Sequence, residues 1–221
     1  MIPPTAALID MDGTLIDTET VIVPVLEQVS EEILGEPVTR EQARSFIGPP
    51  LHETMADLAG PGRDDLAAAL MRRYREIYQA KQFDIELFDG VADMLRDLSD
   101  AGVTLALATS KPEDRALTLL DHLGLTPLFT HVCGAPPEDG PGSEKAAVVA
   151  RALRACGLSS TPERALMLGD RRYDVEGAAA CGVNTVLALW AGLADADEQA
   201  LAWRLANTPA QARAIILGED E

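Results

Sequence analysis

Three observations predict an open α/β fold, a parallel sheet covered by helices on both faces, with a four-helix insertion after its first strand. Short apolar runs recur along the chain, helical patterns separate them, and a purely helical surplus divides the first run from the second. Nearly continuous apolar runs mark strands buried on both faces, and helices between them are the crossovers that parallel strands require.

Taken in order, "AALID" (6–10) reads as the first strand. The next convincing strand, "VTLALA" (103–108), starts far beyond the roughly 30 residues that one crossover unit needs. Four helical patterns fill the gap. "ETVIVPVLEQVSEEILG" (19–35) stops at Gly35, and "TREQARSFI" (39–47) opens on a T-x-x-Q capping box. "PLHETMADLAG" (50–60) and "DDLAAALMRRYREIYQAK" (64–81) follow. They predict an insertion over 16–87, leaving a core of 1–15 and 88–221. An insertion there lies above the carboxyl edge of the sheet, where open sheets bind ligands, so it reads as a cap over a site.

The remaining strands are "LFTHVC" (128–133), "ALMLG" (165–169) and "NTVLAL" (184–189), with helices expected over 90–101, 112–123, 143–156 and 174–181. Pro112 suits a first helical turn, and Ser143 is a candidate N-cap. The acidic end "GEDE" reads as a solvated tail.

A chain of 221 residues suits one domain carrying an insertion, and 47% hydrophobic residues suffice for a core. With 4% aromatic residues, that core is built from Ala, Leu and Val. The net charge of −18 argues against nucleic-acid and anionic-membrane partners. It also means that an anionic substrate needs local cations or a metal. No secretory signal and no 18-residue apolar span is legible, and Cys133, Cys156 and Cys181 lack any pairing pattern, so a cytoplasmic protein with reduced thiols is expected.

Polar residues cluster at one end of every central strand. The first strand offers Asp10 and Asp12, the second Thr109, Ser110 and Lys111, the loop after the third leads to Lys145, and the fourth ends at Asp170 and Asp174. Converging carboxylates need a cation, and an all-oxygen set without His or Cys selects Mg²⁺, which would also attract phosphate. Asp10 is then the metal-binding nucleophile that attacks phosphorus. Asp12, two residues on, protonates the leaving oxygen and later deprotonates the hydrolytic water. Lys145, Thr109 and Ser110 hold the phosphoryl oxygens. Lys111 and Arg172 are expected in solvent, Trp190 in packing, and His52 is a candidate substrate contact from the insertion.

In this order, "DMDGTLIDTE", "ATSKP", "EKAAVVARAL" and "GDRRYD" resemble the four motifs of the haloacid dehalogenase-like superfamily over essentially the whole chain. The resemblance implies a Rossmann-like core. It makes Asp10 the phosphorylated nucleophile, Asp12 the acid/base, and Thr109 and Lys145 the phosphoryl ligands. Mg²⁺ would be held by Asp10, the backbone carbonyl of Asp12 and Asp170, with Asp174 in support. "FIGPPL" (46–51) and "TSKP" are most similar to the phosphoglycolate-phosphatase-like branch. Arg171 stands where many relatives have Thr or Ser, and "EDGPGSE" precedes the lysine in place of a "KP.P" lead-in.

The resulting expectation is a Mg²⁺-dependent phosphatase acting on a small phosphorylated metabolite, with 2-phosphoglycolate the leading candidate. A nucleotidase, a pyrophosphatase or a sugar-phosphate mutase would use the same chemistry. A phosphonate-cleaving relative would need Lys81, the one lysine of the insertion, to form a Schiff base. A non-catalytic partner-binding module is the alternative from another class.

Overall fold

The computed structural model describes residues 4–47, 49–136 and 142–219. Gly48 of "FIGPPL", most of the stretch before Lys145 and the last two residues of "GEDE" lie outside them. The strands are β1 (Ala6–Ile9), β2 (Thr104–Pro112), β3 (His131–Ala135), β4 (Ala165–Gly169), β5 (Asn184–Ala188) and β6 (Arg204–Ala206). They form one parallel sheet in the order β3-β2-β1-β4-β5-β6. Every residue of β1 and β4 is buried, which is why both read as unbroken apolar runs.

Alternate residues of β1 feed two cores, as the two-residue period of a strand requires. Ala7 and Ile9 pack with α5 (Val91–Asp100), α6 (Glu113–His122) and α10 (Pro209–Leu217), while Ala6 and Leu8 pack with α7 (Lys145–Ala155) and α8 (Arg172–Ala179). The first core continues into the insertion. That insertion comprises α1 (Glu19–Leu34), α2 (Arg40–Ser45), α3 (Leu51–Ala59) and α4 (Asp64–Lys81), through side chains such as Leu26, Met55 and Leu70. Thr39 and Gln42 form the capping box that their spacing predicts, and Gly35 ends α1 in the left-handed conformation. The chain leaves the sheet and returns to it side by side: Asp17 N–H donates to the Glu86 carbonyl at 3.0 Å, and Phe88 N–H to that of Leu15 at 3.1 Å.

Several expectations needed correction. The third strand starts at His131, because Thr126–Leu128 close a 3₁₀ turn around Pro127. Ser143 does not cap α7; Glu144 occupies that position without a side-chain cap. The short edge strand β6, α9 (Ala196–Leu201) and α10 went unanticipated.

Candidate active site

The sheet grows away from β1 in both directions, so the switch point lies between β1 and β4, where open sheets place ligands. Asp10 and Asp170 each follow one of these strands directly. The pairing of Ile9 with Leu168 sets them side by side, and Asp10 N–H donates to the Leu168 carbonyl at 2.9 Å.

One oxygen each from Asp10, Asp170 and Asp174 lies within 4.8 Å of the others, all three residues buried. The Lys145 ammonium sits between two of them, 2.6 Å from Asp10 Oδ1 and 2.6 Å from Asp174 Oδ1. A lysine in a first helical turn opposes the helix dipole by about 0.3–1 kcal/mol. Two carboxylates in contact outweigh that cost. Burial would lower the Lys145 pKa, but Asp10 and Asp174 reverse the effect and hold the amine charged. Asp10 is pushed up to about 7, chiefly by burial and further by Asp174, with Lys145 opposing. Asp170 is raised by burial and by its two carboxylate neighbours.

Three carboxylates and one ammonium leave an excess of negative charge that a divalent cation would neutralise. Asp170 Oδ1 accepts from the Thr14 hydroxyl at 3.1 Å, whereas its buried Oδ2 has no partner among the described residues. Gly13 leaves the space beside that oxygen unfilled. It has φ +79°, and a Cβ there would fall 2.2 Å from Asp170 Oδ2. Asp174 Oδ2 accepts from the backbone N–H groups of Asp170 and Arg171, both at 3.1 Å, tying the β4 loop to α8. This residue, expected only in support, is thus part of the carboxylate cluster.

Asp12 stands apart from that cluster. Its Oδ2 is 3.1 Å from Lys111 Nζ, and its buried Oδ1 has no partner among the described residues. Lys111 is not in solvent, as the sequence suggested; its side chain is 8% exposed and donates to the Tyr78 hydroxyl of α4 at 3.1 Å. β2 runs on to Pro112 with a register irregularity after Ala108, and Thr109, Ser110 and Lys111 all line the cavity above the sheet. Burial would lower the Lys111 pKa, but Asp12 raises it and keeps the amine charged.

A cavity opens over these groups. Asp10, Asp12, Thr109, Ser110, Lys145 and Asp174 form its floor; Ile22, Leu26, Leu51, Tyr74 and Tyr78 of the insertion form its roof. His52 does not line it and is half exposed beside Glu53, and Lys81 is also absent from its walls. Arg172 is half exposed as expected. Trp190 does more than pack, donating its indole N–H to the Thr14 carbonyl at 3.0 Å.

Sequence reasoning missed Glu198. Buried in α9, it takes Arg171 Nε at 3.1 Å and Arg172 N–H at 3.0 Å, and Arg171 also donates to the Ile47 carbonyl of the insertion. The D-x-x-E capping box of Asp195 and Glu198 was a readable signal for the helix, though not for this contact.

A family model described as haloacid dehalogenase-like hydrolase matches residues 7–188. The chain is 40% identical over 189 residues to the tyrosine-protein kinase PtkA of Mycobacterium tuberculosis, covering 85% of this chain and 62% of PtkA. It therefore spans less than two thirds of that relative. It is 33% identical over 196 residues to the pyrophosphatase PpaX of Listeria monocytogenes, covering 85% of this chain and 84% of PpaX. To the phosphoglycolate phosphatase of Caulobacter vibrioides it is 32% identical over 186 residues, with 80% and 76% covered. A solved structure of Mycobacterium tuberculosis PtkA matches with a TM-score of 0.81 and 34% identity, over 98% of this chain and 99% of that one.

Proposed function

The chain belongs to the haloacid dehalogenase-like hydrolase family, and from that premise we propose that it is a Mg²⁺-dependent phosphatase of small phosphomonoesters, 2-phosphoglycolate foremost. The observation that carries this reading is the buried convergence of Asp10, Asp170 and Asp174 around Lys145 beneath a cavity. Asp10 Oδ attacks phosphorus while Asp12 gives a proton to the departing ester oxygen, leaving an aspartyl-phosphate and a free alcohol. Asp12 then takes a proton from water as the water oxygen attacks phosphorus, releasing phosphate and restoring Asp10. Lys145, the Thr109 hydroxyl and groups of Ser110 hold the phosphoryl oxygens.

The carboxylates of Asp10 and Asp170 and the Asp12 carbonyl would hold Mg²⁺, with Asp174 positioning Lys145 and the loop. The Asp170 oxygen that lacks a partner among the described residues, the all-oxygen donor set and the excess negative charge fit that ion. When bound, Mg²⁺ would neutralise charge between the carboxylates and the phosphoryl oxygens.

The insertion over 16–87 acts in this reading as a cap, its roof excluding water and choosing substrates. Among the described residues no helix is long and apolar enough to cross a membrane, and Cys133, Cys156 and Cys181 are free thiols. A soluble metabolite in the cytoplasm is the proposed setting.

The test is phosphate release from 2-phosphoglycolate, pyrophosphate, nucleoside monophosphates and sugar phosphates, with Mg²⁺ and with EDTA. Release that needs Mg²⁺ is expected. Undiminished release in EDTA would remove the metal, and silence on every substrate would favour a partner-binding role. The 40% identity to a protein named a tyrosine kinase favours one second reading, phosphoryl transfer to a tyrosine hydroxyl in place of water. Incubation with ATP and a tyrosine-containing polypeptide, read by phosphotyrosine formation, separates the two.

A further inference from the structure

Among the described residues five cationic side chains line the cavity, and four are already engaged. Lys145 lies between Asp10 and Asp174, Lys111 against Asp12, and Arg171 against Glu198, while Arg75 has a partner of its own. Arg115, in the first turn of α6, is half-buried in the wall and makes no ion pair among the described residues. Its acidic neighbours do not serve it: Glu113 accepts from Gly134 N–H at 3.2 Å, and Asp114 is exposed. The same cavity is lined by the buried Tyr74, which stacks on Tyr78 with ring centroids 5.6 Å apart. Arg115 thus lines the same cavity as Lys111, four residues further along the chain.

A chain of net charge −18 whose cavity holds a cation without an ion pair among the described residues has an unsatisfied half of an ion pair there. The floor carboxylates Asp10, Asp12 and Asp174 repel any second anion, so such a group would turn towards the wall. A guanidinium fits carboxylate and phosphoryl oxygens in a two-pronged geometry that no other lining cation is free to offer. We propose that Arg115 is a specificity-determining residue that binds a second anionic group of the substrate. The substrate class is then a small phosphate ester or anhydride whose leaving group carries a carboxylate or a further phosphoryl group. The inference rests on the phosphatase reading for where the transferred phosphoryl group sits.

The test is calorimetric titration, with Mg²⁺ present, of the full chain carrying Asp10→Asn, which removes the attacking carboxylate so that the ligands are not turned over. The ligands are 2-phosphoglycolate, its uncharged-tail counterpart 2-hydroxyethyl phosphate, and pyrophosphate. A doubly anionic ligand should bind about tenfold or more tightly than 2-hydroxyethyl phosphate, and adding Arg115→Met should erase that ratio while Arg115→Lys retains part of it. Dependence on Arg115 for 2-phosphoglycolate alone assigns a carboxylate, and for pyrophosphate alone a phosphoryl group; either sustains the proposal. Equal binding of all three, or a ratio unchanged by Arg115→Met, overturns it. Phosphate release by the unsubstituted chain separates the two readings. Silence there with the Arg115-dependent ratio intact removes the phosphatase and leaves the second-anion site; turnover without the ratio does the reverse.

Discussion

The floor and the roof of the cavity are built by different physics. The floor is a set of buried charges fixed by sheet register: Asp10 and Asp170 are neighbours because β1 and β4 are, and Lys145 holds Asp10 and Asp174 at 2.6 Å each. The roof is an apolar and aromatic surface from α1, α3 and α4, touching the charged machinery through Tyr78 and Lys111 and through the Arg171–Ile47 contact. A charge cluster tolerates almost no rearrangement, because each unpaired buried carboxylate costs several kcal/mol. Away from the Tyr78 and Ile47 contacts, an apolar roof can be re-cut for another substrate mainly at the cost of packing. In the proposed reading chemistry belongs to the floor, and choice of substrate to the roof together with Arg115 of the wall.

Changes at the floor should therefore be severe and indifferent to substrate. Asp10→Asn should lower turnover about 10³-fold or more on every substrate, checked by single-turnover phosphate release. Lys145→Met leaves the cluster without its ammonium and should destabilise the metal-free protein by about 3–5 kcal/mol in urea denaturation, with Mg²⁺ recovering part of the loss. A deficit confined to activity would mean that the amine serves the substrate and not the cluster. Gly13→Ala combines a left-handed backbone with a Cβ 2.2 Å from Asp170 Oδ2, so it should weaken Mg²⁺ binding about tenfold by calorimetry.

Changes at the roof should be milder. Tyr78→Phe removes one hydrogen bond to a charged amine and should cost about 1.5 kcal/mol of stability, altering KM more than kcat. The smallest effect lies on the outer face of the insertion, where Arg73 of α4 holds the Glu32 carboxylate of α1 down to about 2 from 4.5, first by hydrogen bonding. A depressed carboxylate contributes stability above about pH 4.5 and loses it as pH falls towards 2. Arg73→Met should flatten that slope slightly in pH-dependent melting, since both groups are well exposed.

The same division explains what the sequence disclosed. β1 and β4 were legible because burial on both faces leaves an unbroken apolar run, and α2 because its capping box is local chemistry. β6 was illegible: three residues, two of them exposed, carry no period. Asp10, Asp12, Lys145 and Asp170 stood out because four motifs gathered at strand ends. Lys111 looked solvated because its partners, Asp12 and Tyr78, are 99 and 33 positions away in the chain and meet it only through the fold. The role of Glu198 was hidden for the same reason, its tie to Arg171 spanning 27 positions. Contacts between floor and roof leave no local pattern to read.

The central claim is that Asp10 carries the phosphoryl group. Mixing the protein with its best phosphate donor and Mg²⁺, quenching in acid within one turnover and weighing the proteolytic peptides tests it directly. One added phosphoryl group is expected on the peptide containing Asp10, and none in Asp10→Asn. Phosphate release in the same interval with no phosphoryl group on that peptide would contradict it.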